Sequence, residues 1–347
     1  MYLVKFANMR SVYLLFLLFG LAACVESKES RLQKFLIKGN NEISIKNYDQ
    51  GIAYYREAIQ IDPCFTEGLN NLGTALFQLG KFDQALARYQ EAINCNPDYL
   101  PAFYNRANAY YELKEYYSAL KDLDRIEASK PDTVILFFTR GLVQTKLRNF
   151  DLAKTSFEKA FQLDTSNVEF LVNLANVKYY LKDYDAAIAD LSKAIRLDPS
   201  EANIYNTLAL IAIDQQDMEE ALKQVNKALD LIPSEPYFMN NRGFIYLVQN
   251  QLETAVEDIN ASLSTDPENG WAYRNKGIYY LMKEDYPNAE RLLTQANEME
   301  PFIDKIHFYL GMAYYKNGKQ ALACQQFGLS EEAGDGMLTA DLIKMCQ

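Results

Sequence analysis

Residues 66–99 decide the fold, and they read TEGLNNLGTALFQLGKFDQALARYQEAINCNPDY. Small residues are spaced along this stretch at Gly73, Ala85 and Ala92, and Pro97 lies near its end. The proline recurs every 34 residues, with Thr165 at the one place where it is missing; the prolines are Pro63, Pro97, Pro131, Pro199, Pro233, Pro267 and Pro301. A fixed period of this length indicates one supersecondary unit repeated along the chain.

The small residues recur together with the proline. When the proline is numbered position 32 of each unit, position 8 and position 20 are always glycine or alanine. Position 27 is alanine in most units, with Ile126, Ser262 and Ser330 as exceptions, and larger apolar residues recur at positions 4 and 24. Two helices approach closely only where the side chains at their contact are small. The pattern therefore predicts a helical hairpin that stacks on its neighbours.

This pattern resembles the tetratricopeptide repeat (TPR) family over residues 32–337. The resemblance implies an all-α fold, a right-handed superhelical solenoid of nine helix-turn-helix repeats. The predicted units are 32–65, 66–99, 100–133, 134–167, 168–201, 202–235, 236–269, 270–303 and 304–337, followed by a capping helix at 338–347. It also implies that the first helix of each repeat lines a concave groove.

The residues at the predicted turns are those expected of a helical hairpin. Gly80, Asn250 and Gly318 share position 15, where a chain that leaves the first helix needs a left-handed residue. The proline at position 32 ends the second helix, because it has no amide donor and restricts the residue before it.

The start of the chain is a different kind of segment. Lys5 and Arg10 precede an apolar run from Val12 to Phe19, which is typical of a secretory signal peptide. The following residues, 21–24, read LAAC and resemble the lipobox of bacterial lipoproteins. This resemblance implies a signal peptide at 1–23, acylation of Cys24 and a short polar tether at 24–31. The alternative is an ordinary signal peptide with an incidental cysteine.

The predicted acyl anchor indicates where in the cell the protein is located. Two or more acyl chains on one residue hold a protein stably at a membrane, whereas one chain binds only marginally. We therefore expect a membrane-anchored lipoprotein of the bacterial cell envelope that faces the periplasm.

Composition limits the partners and the chemistry. The formal net charge of −11 disfavours nucleic acid as a partner. The single histidine, His307, occupies a packing position and is interpreted as structural. Because no metal-ligand spacing, phosphate loop or catalytic motif occurs, we expect no metal, no cofactor and no enzymatic activity.

Four cysteines follow Cys24, and they do not share a position in the repeat. They are Cys64, Cys95, Cys324 and Cys346. The favoured interpretation is four half-buried thiols that act as small apolar side chains. The alternative is a disulfide between Cys324 and Cys346, since the terminal helix is expected to pack on the last hairpin.

Asparagine recurs at the positions that face the predicted groove. Candidate peptide-binding residues are Asn71, Asn105, Asn173, Asn241 and Asn275 at position 6, and Asn108 and Asn176 at position 9. A side-chain amide both donates and accepts, so a row of them can bond the backbone of an extended peptide. Tyr104, Tyr111 and Trp271 fall at neighbouring inner positions and are candidate aromatic anchors.

Two functions remain open. The row is similar to the asparagine ladder of peptide-binding TPR superhelices, which implies a scaffold that binds a segment of another envelope protein. Alternatively, the asparagines link neighbouring helices. The chain is then an accessory subunit that docks by its convex face or its ends, or a homodimer.

A basic residue at position 7 recurs with an acidic residue at position 23. Arg106 with Asp122, and Arg242 with Asp258, predict charge-assisted links between hairpins. Asp190 has no basic partner at position 7 in its own or the next unit.

Overall fold

The computed structural model describes residues 26–346, which fall into two compact units on either side of the Leu163–Asp164 bond. Nineteen α-helices and no β-strand occur in these residues, so the predicted all-α class is confirmed. Residues 26–346 contain no helix that is both long and apolar enough to cross a membrane. The predicted signal peptide and Cys24 lie outside the described residues.

The first unit consists of four helical hairpins. Their helices are α1 (Lys28–Ser44), α2 (Tyr48–Ile61), α3 (Thr66–Gln78), α4 (Phe82–Cys95), α5 (Leu100–Glu112), α6 (Tyr116–Ser129), α7 (Val134–Lys146) and α8 (Phe150–Leu163).

The second unit consists of five hairpins and a terminal helix. Its helices are α9 (Val168–Tyr180), α10 (Tyr184–Leu197), α11 (Ala202–Asp214), α12 (Met218–Leu231), α13 (Pro236–Val248), α14 (Leu252–Thr265), α15 (Gly270–Met282), α16 (Tyr286–Met299), α17 (Ile306–Lys316), α18 (Gln320–Glu332) and α19 (Ala340–Met345).

The small residues allow a large ring to sit between the two helices of a hairpin. A Cβ atom on Gly73 would lie 2.5 Å from Cε1 of Tyr89, whose side chain is 1 % exposed. The same pairing of a position 8 glycine with a position 24 aromatic occurs in four hairpins, at Gly39 with Tyr55, Gly73 with Tyr89, Gly141 with Phe157, and Gly311 with Phe327. Glycine is required there because the ring occupies the space of its missing side chain.

Successive hairpins within each unit pack mainly through the second helix of one and the first helix of the next, and their first helices also contact one another. In the first unit α1 contacts α3, α3 contacts α5 and α5 contacts α7, and the second unit repeats this arrangement from α9 to α17. These helices form a continuous surface within each unit, which we name the first-helix face.

All nine hairpins turn through a left-handed residue at position 15. The prediction for Gly80, Asn250 and Gly318 is confirmed, and the other six positions hold Lys46, Lys114, Arg148, Lys182, Gln216 and Glu284 with φ of 58° to 63°. The turn is closed by backbone hydrogen bonds, such as that from Lys81 N to Leu76 O at 2.9 Å. Hairpin packing therefore imposes this conformation on residues that rarely adopt it alone.

The helices differ from the predicted boundaries at both ends of the described chain. α1 begins at Lys28, inside the range predicted as a tether at 24–31, and the Ser27 hydroxyl caps the helix by accepting from Ser30 N at 3.0 Å. The predicted cap at 338–347 is a shorter helix, α19, and none of its residues is buried.

The cysteines are paired, so the interpretation of four separate thiols is wrong. Cys324 and Cys346 form a disulfide that joins α18 to the end of α19, with their Cα atoms 5.4 Å apart. A second disulfide joins Cys64, in the α2–α3 connection, to Cys95 at the end of α4, with a Cα separation of 5.3 Å. Both Cα distances fall in the usual range for disulfides.

The predicted pairs of Arg106 with Asp122 and of Arg242 with Asp258 are present, but each ion pair lies within one hairpin and not between two. Arg106 forms a bidentate pair with Asp122, at 2.7 Å from Nε and 2.6 Å from Nη2, and its Nη1 also bonds Gln90 of the preceding hairpin. Asp190, which is 4 % exposed, is paired with Lys178 and with Lys193. Lys178 occupies position 11, so the link differs from the recurrent one.

Candidate functional site

The asparagines of the first unit form a hydrogen-bonded chain across the first-helix face. Asn105 Nδ2 donates to Asn70 Oδ1 at 2.9 Å, and Asn70 Nδ2 donates to Asn71 Oδ1 at 3.2 Å. Asn71 Nδ2 then donates to Asn40 Oδ1 at 3.0 Å, which also accepts from the hydroxyl of Tyr55 at 2.7 Å. We name Asn40, Asn70, Asn71 and Asn105 the first amide chain.

The second unit repeats the arrangement from Asn275 to Asn206. Asn275 Nδ2 donates to Asn240 Oδ1 at 2.7 Å, Asn240 bonds Asn241 at 3.5 Å, and Asn241 Nδ2 donates to Asn206 Oδ1 at 2.8 Å. We name these four residues the second amide chain. The same connectivity in both units shows that these amides link successive first helices.

Several candidate residues therefore already form hydrogen bonds within the protein. Asn71, Asn105, Asn241 and Asn275 all donate to the preceding hairpin, and Asn173 donates to Glu169 O at 2.9 Å within its own helix. Asn275 is only 1 % exposed, so peptide binding by this residue is not supported. Position 6 is mainly architectural.

The asparagines at position 9 differ from those at position 6. Asn108 and Asn176 are half-buried, and within residues 26–346 their side-chain amides form no hydrogen bond with the protein. Each presents two donors and an acceptor at the surface. These two amides are available to a ligand.

Aromatic rings lie on the same helix faces as the available amides. Tyr104, Asn108 and Tyr111 are spaced i, i+4, i+7 along α5, and Asn176 and Tyr179 are spaced i, i+3 along α9. Tyr104 and Tyr111 are half-buried, and burial raises the pKa of the Tyr111 phenol to about 12. The neutral Tyr111 hydroxyl and the half-exposed rings beside free amides fit the chemistry of a peptide-binding surface.

Trp271 leads to a residue that sequence reasoning missed. Its ring lies 5.1 Å from the Arg274 guanidinium, which also lies 4.8 Å from the ring of Phe244. Arg274 is 5 % exposed and donates to Asn275 Oδ1 and to Asp304 O, and burial lowers the pKa of its guanidinium. The available signal was that Arg274 is basic at position 5, where three other hairpins have Asn70, Asn206 and Asn240.

A second cluster on the same unit was also missed. The Tyr184 hydroxyl and Lys182 Nζ both donate to Asp214 Oδ2 at 2.7 Å. Lys182 lies 5.3 Å from the Tyr179 ring, and burial raises the pKa of Tyr179 well above its usual range. This carboxylate is therefore already paired inside the unit.

The single histidine of the chain contacts a glutamine of the same hairpin. His307 Nδ1 lies 2.8 Å from Gln326 Oε1, between the two helices of the last hairpin. Residues 26–346 contain no group of three or more His, Cys, Asp or Glu side chains placed to hold a metal ion.

Known structures share this fold at low sequence identity. PilF of Pseudomonas aeruginosa superposes with a TM-score of 0.53 and 19 % identity, over 61 % of this chain and 96 % of that one. The Cut9–Hcn1 hetero-tetramer of APC/C gives a TM-score of 0.60 and 13 % identity, over 93 % of this chain and 76 % of that one. Human IFIT1 gives a TM-score of 0.55 and 22 % identity, over 76 % of this chain and 67 % of that one. No curated protein matches the chain.

Family models assign the repeats directly. A tetratricopeptide repeat model matches residues 138–202, 172–236, 206–270 and 274–336, which is more than half of the chain. Further TPR models match residues 35–63, 54–87 and 73–114. Proteins with these repeats are generally scaffolds for protein interaction and are not enzymes. The chain belongs to the tetratricopeptide repeat family.

Proposed function

We propose that the protein is a lipid-anchored scaffold that binds an extended peptide segment of a partner protein on the first-helix face of a unit. It acts as an adaptor in an assembly of the bacterial cell envelope. The observation that carries the proposal is that each unit presents one half-exposed amide without a hydrogen bond in the described residues, Asn108 in the first unit and Asn176 in the second.

The chemistry of an extended peptide matches these groups. Each asparagine can donate to a peptide carbonyl and accept from a peptide N–H without regard to the peptide's side chains. Tyr104 and Tyr111 flank Asn108 on the same face and offer rings on which apolar side chains can pack.

Two features support export to the envelope. Residues 21–24 resemble a lipobox, and the two disulfides are of a kind that persists in oxidising compartments such as the periplasm. The acyl chains on Cys24 would hold the scaffold at a membrane surface.

Replacing both Asn108 and Asn176 with alanine is expected to weaken partner binding by about tenfold or more, because each lost hydrogen bond contributes roughly 0.5–1.5 kcal/mol. The partner is recovered by crosslinking and affinity capture from detergent-solubilised envelopes. Its binding segment is then synthesised and titrated against each variant.

The matched control is Asn260→Ala, which removes an exposed asparagine from α14 on a second helix. Undiminished affinity in Asn108→Ala/Asn176→Ala would contradict binding on the first-helix face. That result would instead favour docking by another surface or a homodimer.

Cys24→Ser is expected to move the protein from the membrane fraction to the soluble fraction, since the variant has no thiol to acylate. Membrane and soluble fractions are compared by immunoblotting, and mass spectrometry identifies the mature amino terminus. Cys346→Ser, which removes a different cysteine, is the control and should stay in the membrane fraction. An unmodified Cys24 in the wild-type protein would contradict the anchor.

A further inference from the structure

A pocket with a volume of about 420 Å³ lies between α2 and α4, outside the first-helix face. Its floor includes Ile59, Leu72 and Leu76, and its rim includes Arg56 on α2 and Arg88 on α4. Leu72 and Leu76 are each 4 % exposed, whereas Arg56 is exposed, so the pocket opens on the surface of the second helices. Its lining, all within the described residues, holds two arginines and no carboxylate.

The equivalent space at the third hairpin is occupied by a side chain of the protein itself. Arg106, at position 7, is held by Asp122 at position 23 of its own hairpin and by Gln90 at position 25 of the preceding hairpin. The guanidinium thus bridges two successive second helices, α4 and α6.

The seventh hairpin uses the same three positions. Arg242 bonds Asp258 at 2.6 Å from Nε and 2.8 Å from Nη2, and its Nη1 donates to Asn226 of the preceding hairpin at 3.1 Å. The repeated pattern is a position 7 cation that is bound by a position 23 carboxylate and a position 25 amide.

The second hairpin reverses this pattern. Position 7 is Leu72, which is too short to fill the space, and positions 23 and 25 are Arg88 and Arg56. Positions 23 and 25, which bind a cation in the third and seventh hairpins, are both occupied by arginine here. The complementary group is therefore an anion, and the chain does not supply one from position 7.

Both arginines can bind such an anion. Arg56 forms no hydrogen bond or ion pair within residues 26–346. Arg88 pairs with Glu91 at 2.7 Å, with side-chain exposures of 33 % and 42 %. An exposed pair of this kind contributes little to stability, so an incoming carboxylate can compete with Glu91.

We propose that this pocket binds an acidic side chain of a partner protein, with an apolar neighbour of that side chain on Ile59, Leu72 and Leu76. Guanidinium groups bind carboxylates through paired, charge-assisted hydrogen bonds, which fits Arg56 and Arg88. The occupant is a protein side chain because the pocket is open, whereas sites for small molecules enclose most of their ligand. This site is independent of the first-helix face.

The proposal is tested by calorimetric titration of the full chain in detergent with the capped peptide acetyl-Leu-Glu-Leu-Leu-amide. We expect a dissociation constant of about 1 mM, as for other small ligands with one charged contact. The glutamine version of the peptide should bind at least tenfold more weakly, and so should Arg56→Gln/Arg88→Gln.

A triple variant provides a folded control. Leu72→Arg/Arg88→Asp/Arg56→Gln rebuilds the arrangement of Arg106, Asp122 and Gln90, so it should fold and also lose the glutamate peptide. Circular dichroism checks its helicity and melting.

Three results would overturn the proposal. The first is that the glutamate peptide binds no better than its glutamine version at concentrations up to 10 mM. The second is equal affinity for inorganic phosphate, which would show a general anion site. The third is equal affinity for free 4-methylpentanoate, which would show a site for small acids.

Discussion

Asp122→Ala is expected to lower the free energy of unfolding by about 3–5 kcal/mol, the usual effect of removing one partner of a buried ion pair. The side chains of Arg106 and Asp122 are only 12 % and 5 % exposed. Without the carboxylate, the Arg106 guanidinium keeps only the Gln90 amide as a hydrogen-bond partner. Urea denaturation monitored by circular dichroism measures the change.

Asp98→Ala is the matched control, because Asp98 pairs with Arg125 at 2.8 Å but is 88 % exposed. Its loss should change stability by less than about 1 kcal/mol. The double variant Arg106→Leu/Asp122→Ala should recover part of the loss, since it removes the cation that Asp122→Ala alone leaves buried without its carboxylate. An Asp122→Ala variant as stable as Asp98→Ala would show that the buried pair does not stabilise the hairpin.

Gly73→Leu is expected to destabilise the protein by about 3 kcal/mol, at the upper end of the range for overpacking a core. Its Cβ alone would lie 2.5 Å from the Tyr89 ring, which is enclosed between α3 and α4. The melting temperature and the urea midpoint should both fall.

Gly328→Leu is the control, because a Cβ at Gly328 of α18 has no atom within 4 Å. That change should stabilise its helix by about 0.5–1 kcal/mol through helix propensity alone. Gly73→Ala/Tyr89→Leu should be tolerated, since Ala107 and Leu123 occupy the same two positions in the third hairpin. Equal stability of Gly73→Leu and the wild type would contradict the role of glycine at position 8.

The fold was predictable because its determinants repeat. The close contact between the two helices needs small residues, so Gly73, Ala85 and their equivalents recur with the period of the hairpin. The left-handed turn was visible only at Gly80, Asn250 and Gly318, because elsewhere the packing of the hairpin forces lysine, arginine, glutamine or glutamate into it. Residue preference is a weaker constraint than this packing.

The site was predictable only in part. Helical spacing placed Asn105 and Asn108 on the first-helix face, but spacing does not show whether an amide is already bonded to the next helix. Asn275 was misjudged for the same reason, because the neighbouring Arg274 and Asn240 bury it. Arg274 itself and the Lys178 partner of Asp190 occur in single hairpins, so no repeated pattern revealed them.

The Cys324–Cys346 disulfide was considered as an alternative, but the Cys64–Cys95 disulfide was missed because the cysteines were compared within one repeat. Cys64 and Cys95 occupy positions 33 and 30 of successive hairpins, which lie at the same end of their second helices. A comparison between neighbouring repeats shows this proximity, whereas a comparison within one does not.

The positions of these disulfides affect how unfolding can begin. A terminal repeat of a solenoid has a neighbour on one side only, so it detaches at a lower free energy than an internal repeat. The Cys64–Cys95 bond ties the first hairpin to the second, and the Cys324–Cys346 bond retains α19 against α18. Each covalent link therefore opposes fraying at the terminus where a linear array is weakest.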